Sequence, residues 1–573
     1  MKSLYLIVLG LLSVIHAQNI DYNVITMLNS SEIMTVIVDN QTYPLTSHSD
    51  IPILFTGSAP IATHTGYRYA KINRDGNTST IESFMRPPVN SSTPNEFFSR
   101  SWNQRSVAPL PVLYQPIKPI DRVKSDLHID GQIPTFHIQG NQTEFDAMHH
   151  NTTQDLHLKS NVTYISLKDT LFFDNVEVSL AGRSSLMFPK LSYNLKLDKN
   201  DDLYHYRRIK LRALASDPSY IREQIAYDSI QSVGLASSGF SFCRLFLNNQ
   251  ELGLFGVMET FQDPWLANEF NNGKTYKDGR LYQGVTGNET SLKQGLVSDL
   301  SYIDNNVTAY AQGQYKIKEE GSKKDDYAPL MDITQFLNVD APMNGTDVIE
   351  EWNKKWNTES FLRSMALEVL IGFSDGYLAM ADNYYVYQLP KSDQFFYLPS
   401  DMDMTYGNTM FTLDKMWSGN YSTYPGLQRR PIMTRMLQIP EFNSRYEELL
   451  VDFTNNLVNP TVMHDRIYDL YNMLQEDVAW DKTLPRVGIA EELPTLNSSS
   501  ESAIASALKS NQNFSHINIT TYLDFLTRSI EDISFETAIN GPTGHASLAG
   551  IKEWLYHSHQ NTDTFFNSTP VDL

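Results

Sequence analysis

A chain of 573 residues with one cysteine, Cys243, cannot close an intrachain disulfide, so its fold must rest on its own buried apolar surface. That constraint matters because the first residues read as a secretory leader. Lys2 gives a positive start, Leu4 to Ile15 form an apolar run too short to span a bilayer, and Ala17 offers a small residue for cleavage before Gln18. About fifteen N-x-[ST] sequons, among them Asn29, Asn77, Asn141, Asn161, Asn306, Asn420 and Asn513, point to the same compartment. The expectation is a secreted or cell-surface glycoprotein with no transmembrane segment and no visible GPI tail. Cys243 lies in the apolar run Phe240 to Leu247 and reads as a buried structural thiol. A formal charge of −21 argues against nucleic acid and anionic membrane as partners.

The texture of the chain changes twice. Residues 18–115 look β-rich: Met34 to Val38, Ile51 to Phe55 and Tyr67 to Ile72 are strand-like runs, and their spacing suits a small β-sandwich-like domain. Prolines 109, 111, 116 and 119 mark an extended stretch, with a linker expected at 116–125. From 126 to about 560 the pattern is α+β. Strands are expected at Thr135 to Ile138, Val176 to Leu180 and Tyr193 to Leu197. A helix capped by Asp217 with Pro218 in its first turn should run to Gly234, followed by a hairpin turning at Asn248 and Asn249. Residues 262–355 are polar and turn-rich and read as an insertion or a set of surface loops. Helical periodicity returns at Phe361 to Leu370 and dominates the C-terminal third.

Chemistry concentrates between Gly372 and Gly407. A helix gives way to a loop with Asp375, Asp382 and Asn383. An aromatic hairpin follows (Tyr384 to Tyr387, Phe395 to Leu398), and then the pair Asp401 and Asp403. Phosphoryl transfer needs a carboxylate to take the acceptor's proton, and an amide with one or two carboxylates to hold a hard cation against phosphates. The order Asp, Asn, hairpin, Asp is the order found in protein kinases. A G-x-G-x-x-G loop is absent, and Asn272-Gly273-Lys274-Thr275 lacks the first glycine of a P-loop. His149-His150 has no partners at metal-ligand spacing and reads as a loop pair.

Several runs together resemble the spore-coat-protein-H (CotH) kinase family. Asn383-Tyr-Tyr-Val-Tyr and Leu398-Pro-Ser-Asp401-Met-Asp403-Met-Thr-Tyr-Gly407 resemble its N-Y-x-x-Y strand and P-W-D-x-D-x-x-[FY]-G loop. Gly182-Arg-Ser-Ser with Pro189-Lys190 and Asn194-Leu195-Lys196 resembles its R-G-x-S-S…P-K-K…K run. Asp217-Pro-Ser-Tyr-Ile-Arg222 and the Leu247 to Glu259 hairpin also match in order. The likeness covers roughly residues 130–480. It departs at Ser400 (Trp in the family), Leu191 (Lys) and Asn249 (Gly), and the catalytic loop lacks the His many relatives carry.

The resemblance implies an atypical two-lobed protein-kinase-like domain using ATP and Mg²⁺, or Mn²⁺, to phosphorylate Ser or Thr of a protein. It implies Asn383, Asp401 and Asp403 as metal ligands. Asp375 is the candidate base, with Asp382 as its rival. Arg183 and Ser184 would lie in a nucleotide-covering loop, with Lys190 and Lys196 at the phosphates. Glu223 would pair with a lysine, and Glu259 would sit at the hinge by the adenine. Fungal members are also described as invasins, so the alternative is an adhesin that binds host-cell receptors, with the 262–355 region as its contact surface.

Overall fold

The computed structural model describes residues 18–63, 65–275, 279–321, 323–488, 504, 506, 508, 514–528 and 531–568. The expected leader and the Asn513 sequon lie outside them. Two compact units result: residues 1–104 with 163–171 and 249–251, and the remainder of the chain.

The first unit is a single seven-stranded sheet, ordered β6-β5-β2-β3-β4-β1-β7. Its strands are β1 (Asn19–Ile25), β2 (Glu32–Val38), β3 (Gln41–His48), β4 (Ile51–Pro60), β5 (Tyr67–Asn73), β6 (Thr78–Ile81) and β7 (Glu96–Phe97). Alternation dictates the burial. Ile20, Tyr22 and Val24 of β1, Met34, Val36 and Val38 of β2, and Tyr67 and Tyr69 of β5 share one core. Strands β1 and β5 stand four places apart in the sheet, about 19 Å at ordinary strand spacing. The Tyr22 and Tyr67 rings nevertheless meet at 5.0 Å. One sheet thus curls over its own core. A buried Arg86 joins Glu82 (2.6 Å) and Glu96 (3.1 Å), and Glu96 in turn accepts from the hydroxyls of Tyr67 and Tyr69.

The second unit is α+β. Strands β8 (Thr135–Gln139), β9 (His157–Ile165), β10 (Thr170–Ala181), β11 (Ser192–Lys196), β12 (Arg208–Arg212), β13 (Phe240–Leu247) and β14 (Gln250–Glu259) close a barrel in the order β10-β11-β12-β14-β13-β8-β9. Every residue of β13 is buried, which accounts for its mostly apolar sequence, and the one charged residue among them, Arg244, is paired with buried Asp477 at 2.5 Å. Cys243 is fully buried there, and burial pushes its thiol up. Helix α1 (Arg222–Ser232) begins four residues later than the pattern predicts. The Asp217 carboxylate accepts from the amides of Ser219 (2.8 Å) and Arg222 (3.0 Å), and Tyr220 has φ +58°, which no helix can carry. The proline run is held in place: the Leu113 and Tyr114 amides donate to Ser232, and the Ile117 amide donates to Gly234.

Residues 262–355 are more ordered than their composition suggests. They supply β15 (Arg280–Gly284) and β16 (Tyr315–Glu320), which join β17 (Tyr384–Gln388) and β18 (Phe395–Pro399) in an antiparallel sheet ordered β16-β15-β17-β18. Leu281 and Tyr282 are fully buried. Helices α2 (Thr358–Ile371), α3 (Pro440–Asn456), α4 (His464–Thr483) and α5 (Ile551–Ser568), all in the C-terminal part, are the longest among the described residues. Buried Tyr384 and Tyr397 stack at 5.3 Å across β17 and β18, and Phe361 of α2 meets Tyr397 at 5.5 Å, so the hairpin is braced against a helix. His149 and His150 end a helix, Gln142–His150, and do not form a loop pair; His149 bonds the Tyr193 hydroxyl at 2.8 Å. Among the described residues no helix is long and apolar enough to cross a membrane.

Candidate active site

A cleft of about 650 Å³ opens in the second unit, and Asp375, Asp382, Asn383, Asp401 and Asp403 all line it. Three local devices bring them there. Helix α2 stops at Gly372, whose left-handed φ of +65° turns the chain into the Asp375 loop. The β17–β18 hairpin then separates Asn383 from Asp401 by one rigid turnaround. Beyond the acids, Gly407 (φ +87°) packs so closely on Ala549 that a Cβ would lie 2.7 Å from that side chain. Left-handed backbone in non-glycine residues clusters around these turns: Ala381, Asn383, Asp401 and Tyr406 have φ between +48° and +60°. Such conformations persist only where the surroundings enforce them, and they recur at functional loops.

Cations sit between the acids. Arg212 Nη2 lies 2.7 Å from Asp401 and 3.3 Å from Asp403, and its Nε donates to Glu223 at 2.8 Å. Lys210 stands 3.6 Å from Asp401. Arg183 Nη2 donates to both oxygens of Asp382 (2.9 and 3.0 Å) and more weakly to Asn383 (3.4 Å). Thr286 also donates to Asp382, and Ser216 donates to Asp403 at 2.6 Å. Asn383 donates to Asp375 Oδ2 at 2.7 Å, while Asp375 Oδ1 is buried without a hydrogen-bond partner. Among the described residues no three carboxylates, histidines or cysteines are gathered closely enough to hold a metal by themselves. The guanidinium groups occupy the spaces between acids that share one wall.

Electrostatics separate Asp401, Asp375 and Asp403. Burial works to raise the Asp401 carboxyl, but Arg212, Lys210 and Arg183 outweigh it and hold the group well below the usual range. Asp375 goes the other way: burial, then Asp403, Asp401 and Asp382, push it well up. Asp403 is raised by burial and by Asp401 despite Arg212. Behind them burial lifts Glu223 to about 7 against the pull of Arg212.

The remaining expected contacts divide. Arg183 and Lys196 line the cleft, the latter 3.3 Å from Glu177. Ser184 falls in the short turn Ser184–Met187, and its side chain lies outside the described residues. Lys190 does not reach the cleft. It is buried against Asp481 (2.7 Å) and the Leu254 carbonyl, with its ammonium over the Phe255 ring. Glu223 meets Arg212, where a lysine was expected. Glu259 is fully buried on Arg122 (2.6 Å) and does not face the cleft, although the next three residues, Thr260 to Gln262, do. Sequence reasoning missed Lys210 and Arg212. Their signal was the alternation Arg208-Ile-Lys210-Leu-Arg212, which puts three cations on one face of a strand.

Known proteins with similar sequences point to one family. The family model described as "CotH kinase protein" matches residues 178–486, just over half of the chain. Invasin CotH3 of Rhizopus delemar is 25% identical over 501 residues, 85% of this chain and 78% of that protein. Invasin CotH2 of the same fungus is 24% identical over 485 residues, covering 83% and 76%. Inner spore coat protein H of Bacillus subtilis is 22% identical over 307 residues, 54% of this chain and 78% of that protein. The matched stretch contains the Arg183 loop, strand β12, helix α1 and all four acids together with Asn383, and on this ground the chain belongs to the CotH kinase protein family.

Proposed function

We propose that this chain is a secreted, atypical protein kinase that moves the γ-phosphoryl group of ATP to serine or threonine of a protein. One observation carries the reading: an amide and carboxylates from two loops, on either side of one hairpin, meet in a cleft whose facing strand is cationic. In this reading the β8–β14 barrel serves as the smaller lobe and the helical part as the larger one. Asn383, Asp401 and Asp403 offer only oxygen donors, the set a magnesium ion prefers. A divalent ion held there would neutralise charge on the phosphates, and manganese could substitute. Lys210, Arg212, Arg183 and Lys196 would supply fixed positive charge toward the same groups.

The chain's own proton acceptor follows from the hydrogen bonds. Asp382 has both oxygens engaged by Arg183 and Thr286, whereas Asp375 keeps Oδ1 free and has its other oxygen aligned by Asn383. Asp375 is therefore assigned as the base. As the acceptor oxygen bonds to the γ-phosphorus, the bond to the β,γ-bridging oxygen breaks, ADP leaves, and the hydroxyl proton passes to Asp375.

Secretion is supported by the leader-like start and by the exposure of the sequon asparagines 29, 77, 141, 161 and 306. The invasin names of the fungal relatives, similar over most of this chain, favour a second reading: a cell-surface or secreted adhesin that binds host receptors. One experiment separates the two. Purified protein with Mg²⁺ and γ-labelled ATP should transfer label to itself or to a serine-containing protein, and Asp401→Ala should abolish transfer. If ATP neither binds nor shifts the melting temperature, the kinase reading fails and the adhesin reading stands.

A further inference from the structure

The cationic wall of the cleft holds more positive charge than its acids use. Arg212 and Lys210 of β12 face Asp401 and Asp403, and Arg183 faces Asp382. Three further cations line the cleft: Arg208 of β12, on the same strand face as Lys210 and Arg212, and Lys316 and Lys318 of β16, whose register against β15 shifts at Lys318. Among the described residues, no carboxylate lies within ion-pairing distance of these three. Glu319, Asp263 and Glu177 act on Arg208 only from farther away, and its buried Nε has no hydrogen-bond partner. Burial, followed by the neighbouring cations Lys316, Lys210 and Arg208, pushes the Lys318 ammonium below its ordinary range. Like charges crowded in a cleft are costly unless an anion joins them, and an acidic chain of net charge −21 has carboxylates to spare for neutralising them. Edge strands often carry lysines to discourage pairing. Two strands from separate sheets aiming cations at one space do something else.

We infer that Arg208, Lys316 and Lys318 form an anion subsite, apart from the acid corner, that takes a phosphorylated or acidic side chain of the protein substrate beside its acceptor serine or threonine. The inference rests on the kinase reading, because a substrate whose hydroxyl reaches Asp375 must enter this same cleft. Arginine and lysine bind phosphate and carboxylate through charge-assisted hydrogen bonds, with phosphate the stronger partner.

The test uses the full chain and three serine peptides that differ at one flanking position: phosphoserine, aspartate or alanine. Binding is measured first without nucleotide, by fluorescence anisotropy at low and high salt, and phosphorylation second. The wild type should bind the phosphoserine peptide about tenfold more tightly than the alanine peptide, with aspartate between, and salt should erode the preference. Lys316→Gln/Lys318→Gln should remove that preference while leaving the alanine peptide's kcat/KM and the melting temperature near wild type. Equal losses on all three peptides, or a rise confined to the KM for ATP, would assign these cations to the nucleotide and overturn the subsite. A free inorganic phosphate ligand would show as competition without any peptide preference, which also overturns it. Preferential binding without phosphorylation of any peptide would keep the subsite and sink the kinase.

Discussion

Arg212 holds both carboxylates of the Asp401-Met402-Asp403 loop, at 2.7 and 3.3 Å, while its own Nε is fixed by Glu223 of helix α1 at 2.8 Å. A single guanidinium therefore links the barrel, a helix and the acid loop. Removing it leaves three carboxylates facing one another, of which Glu223 is buried and Asp401 and Asp403 are only partly reached by water. Loss of one partner from a buried ion pair typically costs about 3–5 kcal/mol. Arg212→Met is expected to lower stability by about that amount in chemical denaturation, and magnesium should restore part of the loss. Unchanged stability would mean that the loop does not depend on this cation.

Asp375 should show the opposite trade. Its Oδ1 is buried without a hydrogen-bond partner, and Asp382, Asp401 and Asp403 all act on it. Asn fills the same space without the charge. Asp375→Asn is expected to keep or raise the melting temperature, by up to about 1 kcal/mol in stability, while phosphoryl transfer falls by at least about a hundredfold. A variant that transfers label at the wild-type rate would remove Asp375 from the chemistry and return Asp382 to consideration.

What was legible in the sequence was local. The Asp375 to Gly407 stretch could be read because its acids, amide and hairpin follow one another within a few turns of chain. Helix α2 announced itself by its period and strand β13 by a run in which only Ser241 and Arg244 are not apolar. Arg212 was hidden because its partners are far along the chain: Asp401 follows it by nearly two hundred residues. The 262–355 stretch was read as loops because β15 and β16 are short and find their partner, β17, only about a hundred residues after β15. Part of its polarity lies in the cleft wall, where Gln283, Thr286, Lys316 and Lys318 stand. The family-like Pro189-Lys190 run gave no means of telling a phosphate ligand from a buried ion pair, since both need a lysine after a turn.

Lys190 offers a direct check on that last distinction. Its ammonium is buried against Asp481, which also accepts from Tyr220, the Leu254 amide and Arg486. Lys190→Met should therefore cost stability, about 3 kcal/mol or more, because Asp481 loses a buried partner. Nucleotide affinity of the folded fraction should stay within about twofold of wild type. A rise in the KM for ATP without loss of stability would place Lys190 at the phosphates after all.

Glu368 predicts how stability follows pH. This carboxyl is buried at the end of helix α2 and accepts from the Leu378 amide at 2.6 Å, beneath the Asp375 loop. Burial raises its pKa from an ordinary value of 4.5 to about 8, against the pull of that amide and of Arg430. Below the ordinary value both the folded and the unfolded chain hold the proton, and this group adds no pH dependence. Between the two values the unfolded chain releases the proton while the folded chain keeps it, so stability falls as pH rises, by about 1.4 kcal/mol per pH unit at most. Above the folded value both have released it, and the loss levels off. Glu368→Gln keeps an oxygen for the Leu378 amide and cannot ionise. Its stability relative to wild type should therefore climb from mildly acid pH to about 8 and then flatten, as read from paired denaturation curves across that range. A constant difference between the two proteins at every pH would show that Glu368 ionises as freely in the fold as in the open chain.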